Sequence, residues 1–143
     1  MNDRFNPALD LIMKYEGCRL KAYQDVVGVW TLGWGITEGI APGMEITQEQ
    51  ADMMLFVDVE KRALKILQMV EHVINDNQLC ALISFAYKVG IGALYRSTLL
   101  HYINENMPKE EVAAQFLRWD KAGGRVYAGL TRRRKEESEL YLS

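Results

Sequence analysis

Glu16, Asp25 and Thr31 are the residues in this chain whose types and spacing could do chemistry together. Two carboxylates alone mean little where there are 19 acidic residues. This pair stands out by its setting. Glu16 falls at the C-terminal end of a short helical pattern, where the helix dipole disfavours a negative charge. Tyr15, Cys18 and Leu20 give it partly apolar neighbours. Asp25 opens a run of glycines and aromatics that shapes backbone. One carboxyl group that keeps its proton, facing another that stays ionised, is the apparatus for glycosidic hydrolysis. Glu16 is therefore the candidate general acid and Asp25 the candidate ionised partner. Thr31 offers a hydroxyl six residues beyond Asp25, within reach if the sheet doubles back, and a hydroxyl beside a carboxylate can hold a water for attack.

The elements that must position these groups are legible in outline. Asn6-Pro7 reads as a helix start, with Asn6 as the cap and proline in the first turn. Leu9, Ile12, Met13 and Glu16 follow at helical spacing, and Gly17 is the expected stop. Residues 18–37 hold Tyr23, Val26, Val27, Val29, Trp30, Thr31, Leu32 and Trp34, punctuated by Gly28, Gly33 and Gly35, which predicts a small, tightly turned antiparallel sheet. Thr47 to Gln50 resembles a capping box. It should open a long helix over about 48–68, with Ala51, Met54, Leu55, Val59, Ala63 and Ile66 inward. Asn75 or Asp76 can cap another helix that ends at Gly90. Further helices are expected over about 97–104, 108–120 and 131–142, with Gly123-Gly124 breaking the chain before the last.

One helix, a small sheet and then many helices predict an α+β fold, since the segments are segregated and not alternating. The sheet is too small to stand alone. It should form one lobe of about residues 17–60, joined by the long helix to a helical lobe of about 65–143 that also takes the N-terminal helix. The whole, 1–143, reads as a single domain. A cleft between lobes is a common place for substrate.

Composition sets limits on function. A length of 143 residues, 49% hydrophobic and 25% charged, suits one globular domain that needs no staple. Cys18 and Cys80 are too few for a disulfide framework, and with His72 and His101 they show no zinc spacing. Both read as free thiols. The net charge of −2 offers no global attraction for nucleic acid. Residues 118–135 nevertheless carry Arg118, Lys121, Arg125, Arg132, Arg133, Arg134 and Lys135 against only Asp120. This stretch is either a solvated basic face or a contact for an anionic polymer. No nucleic-acid-binding motif accompanies it. The first fifteen residues hold no apolar run of signal-peptide or membrane-span length. The chain as written is expected to stay in the cytoplasm that makes it.

The run Glu16-x8-Asp25-x5-Thr31 with Leu32-Gly33-Trp34-Gly35 resembles the catalytic signature of phage lysozymes, the endolysins of lambdoid and T-even phages. Ser84 to Gly90, Phe116 to Trp119, Ala122 to Gly124, Gly129-Leu130 and Arg133-Arg134-x-x-Glu137 resemble later segments of that family, in the same order. The resemblance implies a two-lobed lysozyme fold with Glu16, Asp25 and Thr31 as catalytic residues. It implies cleavage of the β-1,4 bond between N-acetylmuramic acid and N-acetylglucosamine in peptidoglycan. Inversion at the anomeric centre is implied as well, which calls for carboxyl groups about 6.5–9.5 Å apart. No metal or cofactor is implied. The enzyme would be a monomer that waits in the host cytoplasm and reaches the periplasm and wall once a holin opens the membrane.

Trp34, Tyr87, Lys88 and Arg133 are the candidate substrate-binding residues. Trp34 and Tyr87 could stack on sugars or fill core. Arg133 could pair with Glu16 across the cleft, as an arginine of the last helices does in relatives. The chain departs from the family at two places. Ile36 stands where many relatives have histidine, and it can only pack. Lys88 stands where relatives usually have asparagine or glutamine, adding a cation that could meet wall carboxylates or point to solvent. A non-catalytic wall-binding or lysis-regulating protein on the same fold is the alternative. A lytic transglycosylase needs no second carboxylate, so Asp25 favours hydrolysis.

Overall fold

The computed structural model is described over residues 3–143; residues 1 and 2 of the predicted domain lie outside the described residues. Helix α1 spans Asn6–Tyr15 and is followed by strands β1, Arg19–Gln24, and β2, Trp30–Gly33. Helices α2 (Gln48–Met69), α3 (Asp76–Val89), α4 (Ile91–Tyr95), α5 (Thr98–Asn104) and α6 (Lys109–Phe116) come next. A hairpin of β3 (Lys121–Ala122) and β4 (Arg125–Val126) then leads into α7, Ala128–Leu142. This is the expected α+β arrangement: a small antiparallel sheet, a long connecting helix and a helical body.

Local chemistry explains the helices that were best foreseen. At α2, the Thr47 hydroxyl accepts from the Gln50 N–H at 3.1 Å and the Gln50 side chain accepts from the Thr47 N–H at 2.8 Å. Asn75 and Gln78 repeat the device at α3, so Asn75, not Asp76, is the cap. Each box satisfies two amides that the helix cannot pair internally. The α2 face made by Ala51, Leu55, Val59, Ala63 and Ile66 is buried. It packs with Ile12, Leu82, Phe85, Leu99 and Phe116 in the main core.

Other boundaries moved for tertiary reasons. A 3₁₀ turn at Asp3–Phe5 precedes α1, so Asn6 is a helical residue and not its cap. Phe5 is buried against Phe56, and that anchorage draws the chain into helical form a turn early. Glu16 itself ends α1 with an extended backbone, and Gly17 makes no left-handed cap. Helix α6 stops at Phe116, where Leu117, Arg118 and Trp119 tighten into i→i+3 hydrogen bonds. That turn puts Trp119 edge-on to Phe85, with ring centroids 5.1 Å apart. Gly123-Gly124 does not break the chain. Both residues have positive φ, +59° and +80°, and form the two-residue turn of the β3–β4 hairpin. Helix α7 accordingly begins at Ala128, three residues before the predicted start. Helix α4 was not foreseen.

Among the described residues no helix is long and apolar enough to cross a membrane. Cys18 and Cys80 are both free.

Candidate active site

Glu16 sits where α1 ends. Its N–H still donates to the Ile12 carbonyl at 2.7 Å, which fixes the backbone, while the side chain leaves the helix. Oε2 accepts from Arg133 Nη1 at 2.7 Å. Oε1 faces Gly35: a Cβ built on that glycine would lie 3.5 Å from it. The same Cβ would meet the Tyr87 hydroxyl at 3.7 Å, and Gly35 holds φ at +97°. The positive φ is what calls for glycine here, since a Cβ at those distances would make only ordinary contact.

Arg133 does more than meet Glu16. It lies on α7 and is almost fully buried. Its Nε donates to Glu137 Oε2 at 3.3 Å and its Nη2 to the Ser84 carbonyl at 2.9 Å. Glu137, itself fully buried, also accepts from the Ser84 hydroxyl at 2.5 Å and from Arg134 Nη1. Arg134 continues to the Trp119 carbonyl and lies over the Phe85 ring. Burial pushes the Glu137 carboxyl up and the Arg134 guanidinium down, and their mutual attraction opposes both movements. The expected pairing of Arg133 with Glu16 is thus the outer contact of an internal ion cluster. The cluster also revises the reading of the basic stretch, because Arg133 and Arg134 belong to the interior and not to a solvated face. Glu137, Ser84 and Arg134 were not singled out for this. The signal was present, since i+3 and i+4 spacing places Glu137 beside both arginines on one helix.

Asp25 lies in the turn between β1 and β2. Its Oδ1 accepts from the N–H groups of Val27 at 3.0 Å and Val29 at 2.9 Å. Both hydrogen bonds reach Oδ1, so the carboxylate is aimed by its own turn. Thr31 is buried on β2, opposite Tyr23. Its hydroxyl donates to the Val29 carbonyl at 2.9 Å. Asp25 and Thr31 therefore grip the same Val29 backbone. The strand pairing, Gln24 with Trp30 and Tyr23 with Thr31, brings them to one end of the sheet as the spacing suggested.

Trp34 and Tyr87 meet directly. The Tyr87 hydroxyl donates to the Trp34 carbonyl at 2.5 Å, tying α3 to the segment after β2. The Trp34 indole N–H donates to Asp52 on α2 at 2.8 Å. Arg62 covers one face of the Tyr87 ring at 5.0 Å and donates to the Ala86 carbonyl. Burial, followed by the nearby Asp58 and Glu16, pushes the Tyr87 phenol well above the ordinary tyrosine range. The hydroxyl therefore remains a donor at any working pH. Tyr87→Phe is expected to lower stability by about 1–2 kcal/mol, since the Trp34 carbonyl loses its partner. Turnover should fall about tenfold with KM little changed, because Gly35 is then held less firmly against Glu16. Urea unfolding and initial rates on purified peptidoglycan check both numbers.

A cavity of about 450 Å³ runs past Gly35 and Tyr87, the two residues that flank Glu16. Ile36, Met53, Met54 and Val57 give it an apolar wall, and Glu38, Asp58, Lys61 and Arg62 a charged rim. Ile36 also closes a tight bridge with Leu32 through two 2.9 Å hydrogen bonds. Asp58, which faces this cavity, pairs with Arg62 one turn along α2, at 2.7 Å.

A carboxyl group stands at a helix end, a second is aimed by its own turn, and a cavity opens beside Gly35 and Tyr87. The phage lysozyme family model matches residues 13–137. The chain belongs to the phage lysozyme family. An endolysin of Bacillus phage PZA is 42% identical over 94% of this chain, and this phage lysozyme spans about half, 53%, of that relative's length. An endolysin of Acyrthosiphon pisum secondary endosymbiont phage 1 is 38% identical over 94% of both proteins. The muramidase domain of SpmX from Asticaccaulis excentricus superimposes with a TM-score of 0.86 at 33% identity, over 95% of each chain. Family membership and fold are thus shown by sequence and structure together.

Proposed function

We propose that this phage lysozyme hydrolyses the β-1,4 bond between N-acetylmuramic acid and N-acetylglucosamine in peptidoglycan, with inversion, as an endolysin. The observation that carries the reading is the Glu16 carboxyl group. Arg133 engages one of its oxygens and the other is left at Gly35, at the edge of the groove. Glu16 gives its proton to the departing glycosidic oxygen. Asp25 and the Thr31 hydroxyl hold a water on the opposite face of the sugar. The water oxygen bonds to the anomeric carbon as the old bond breaks, and its proton passes to Asp25. The groove past Gly35 takes the glycan, with Tyr87 in its wall, Trp34 held behind it by Tyr87 and Asp52, and Lys88 and Arg133 lining the adjoining cavity.

Residence in the host cytoplasm, release through a holin and action as a monomer on the wall belong to the same proposal. Nucleic acid is given no part in this reading; Arg133 and Arg134 of the basic stretch are buried.

Mass spectrometry of digested peptidoglycan tests the reaction. The expected products carry reducing ends, with the α-anomer formed first by NMR. Asp25→Asn should lower their release about a hundredfold. Products with 1,6-anhydro ends would mean transglycosylation, and absence of products from the unaltered protein would leave only wall binding.

A further inference from the structure

Beside the contact between Glu16 and Arg133 runs a second one that joins the same two helices. Tyr15, the last residue of α1, donates its phenol hydrogen to Glu136 Oε2 on α7. Lys14 donates to the other oxygen, Oε1, at 2.7 Å. Neighbours 15 and 16 thus meet residues 136 and 133, which share a face of α7. The guanidinium carbon of Arg133 lies 5.9 Å from the centre of the Tyr15 ring, so the two contacts abut. Burial, followed by the hydrogen bond and charge of Glu136, pushes the Tyr15 phenol up to about 12, and it stays a donor. Burial works against the charge of Glu136, but the hydrogen bonds from Lys14 and Tyr15 outweigh it and hold that carboxyl below the ordinary range. Ile12 is the last fully buried residue of α1, so core packing stops one turn short of Glu16. The last carbonyls of a helix have no internal partners, which leaves such an end ready to fray. Arg133, by contrast, is fixed by Glu137 and the Ser84 carbonyl.

We propose that Tyr15 is a positioning residue for the acid, acting through Glu136 to hold the end of α1 against α7. The inference rests on the muramidase reading above and deepens it. Proton donation needs Oε1 of Glu16, the oxygen that Arg133 leaves, to stay aimed at the glycosidic oxygen. A single contact at Oε2 lets the carboxyl group pivot about it. The Tyr15 contact with Glu136 blocks that pivot, because it fixes the residue before Glu16 to the helix that carries Arg133. Misplacing a reacting group by about 1 Å can cost about a hundredfold in rate. Losing one of two parallel contacts displaces it less, so a smaller loss follows. That loss belongs to kcat, since the phenol hydrogen is committed to Glu136. Lys14 contributes little to the clasp, because its ammonium group is largely exposed and its ion pair is screened by water. The Tyr15 ring also lines the cavity that holds Lys88, so the hydroxyl must be removed with the ring left in place.

Tyr15→Phe makes that change, and two measurements well below the unfolding temperature read it. Initial rates on purified peptidoglycan should show kcat down about fivefold with KM within about twofold of the unaltered enzyme. Glu136→Ala should lose as much, and Glu136→Gln, which keeps a hydrogen bond to the phenol, should recover most of it. The double variant Tyr15→Phe/Glu136→Ala should be no slower than either single one, since both break one contact. The second measurement does not depend on catalysis. Hydrogen exchange by NMR should show the Glu16 amide, which donates to the Ile12 carbonyl, opening about tenfold more often in Tyr15→Phe. Lys14→Met should leave both readings within about twofold of the unaltered protein. An unchanged kcat or an unchanged Glu16 exchange rate in Tyr15→Phe would overturn the proposal. So would losses that multiply in the double variant. An unaltered protein that digests no peptidoglycan would overturn the muramidase reading itself, whatever the exchange rates show.

Discussion

Glu16→Gln should abolish release of muropeptides, by about a thousandfold or more, while leaving the fold intact. The amide occupies the same space and can still accept from Arg133, but it has no proton of the right acidity to give. General acid catalysis by one positioned group accounts for about 10²–10⁴ in rate. Glu16 belongs at the upper end because its geometry is so fully determined. Oε2 is taken by Arg133, so Oε1 at Gly35 is the oxygen left to transfer the proton. The amide keeps a hydrogen bond to Arg133 in place of the carboxyl contact, a change of about 1 kcal/mol or less. The melting temperature should then shift by only about 2–4 °C. Turbidity loss of outer-membrane-permeabilised cells and circular dichroism measure the two halves. Substantial lysis by a folded Glu16→Gln protein would remove Glu16 from the role of acid.

The largest effect on stability is expected at Glu137. Its carboxylate is fully buried and accepts from Ser84, Arg133 and Arg134. Glu137→Ala leaves two buried guanidinium groups with one carboxylate fewer between them and opens space in the interior. Breaking a buried pair from one side costs about 3–5 kcal/mol. Part of that cost is already visible in Arg134, whose Nη2 is buried without a hydrogen-bond partner and rests over the Phe85 ring. With Glu137 gone, Arg133 also loses the anchor of its Nε, so Glu16 should be less well oriented. Urea denaturation should show the midpoint falling with the slope unchanged. A loss below about 1 kcal/mol would mean that the cluster relaxes or that water enters it. Activity measured well below the new midpoint should also be reduced, which separates misorientation of Glu16 from simple unfolding.

These two sites were unequally legible. Glu16, Asp25 and Thr31 lie within sixteen residues of one another, and the elements between them obey short-range rules. A helix end, a glycine turn and an alternating strand can all be read from neighbours. The capping boxes at Thr47 and Asn75 are of the same kind, since each closes over four residues. Glu137 shows the opposite case. Residues 132–139 of α7 carry Arg132, Arg133, Arg134, Lys135, Glu136, Glu137 and Glu139, a pattern that locally reads as solvated. Only the packing of α7 against α3 and α6 turns its Arg133–Arg134–Glu137 side inward. Tyr87 is similar. From sequence its ring could stack on sugar or fill core, and the hydroxyl bond to Trp34, 53 residues away, was not visible.

A carboxyl group at the end of the first helix, with a second in the turn between the strands that follow, was determined by the sequence itself. The physical reason is that helix ends and glycine turns are set by contacts a few residues apart. Which oxygen of Glu16 is bound and which is left for chemistry was decided only by tertiary structure. Arg133 lies 117 positions later and reaches Glu16 because Glu137 and Ser84 hold it in place. The placing of Lys88 beside a cavity next to that acid was decided the same way. Long-range packing of α1, α3 and α7 creates that space, and no local pattern encodes it.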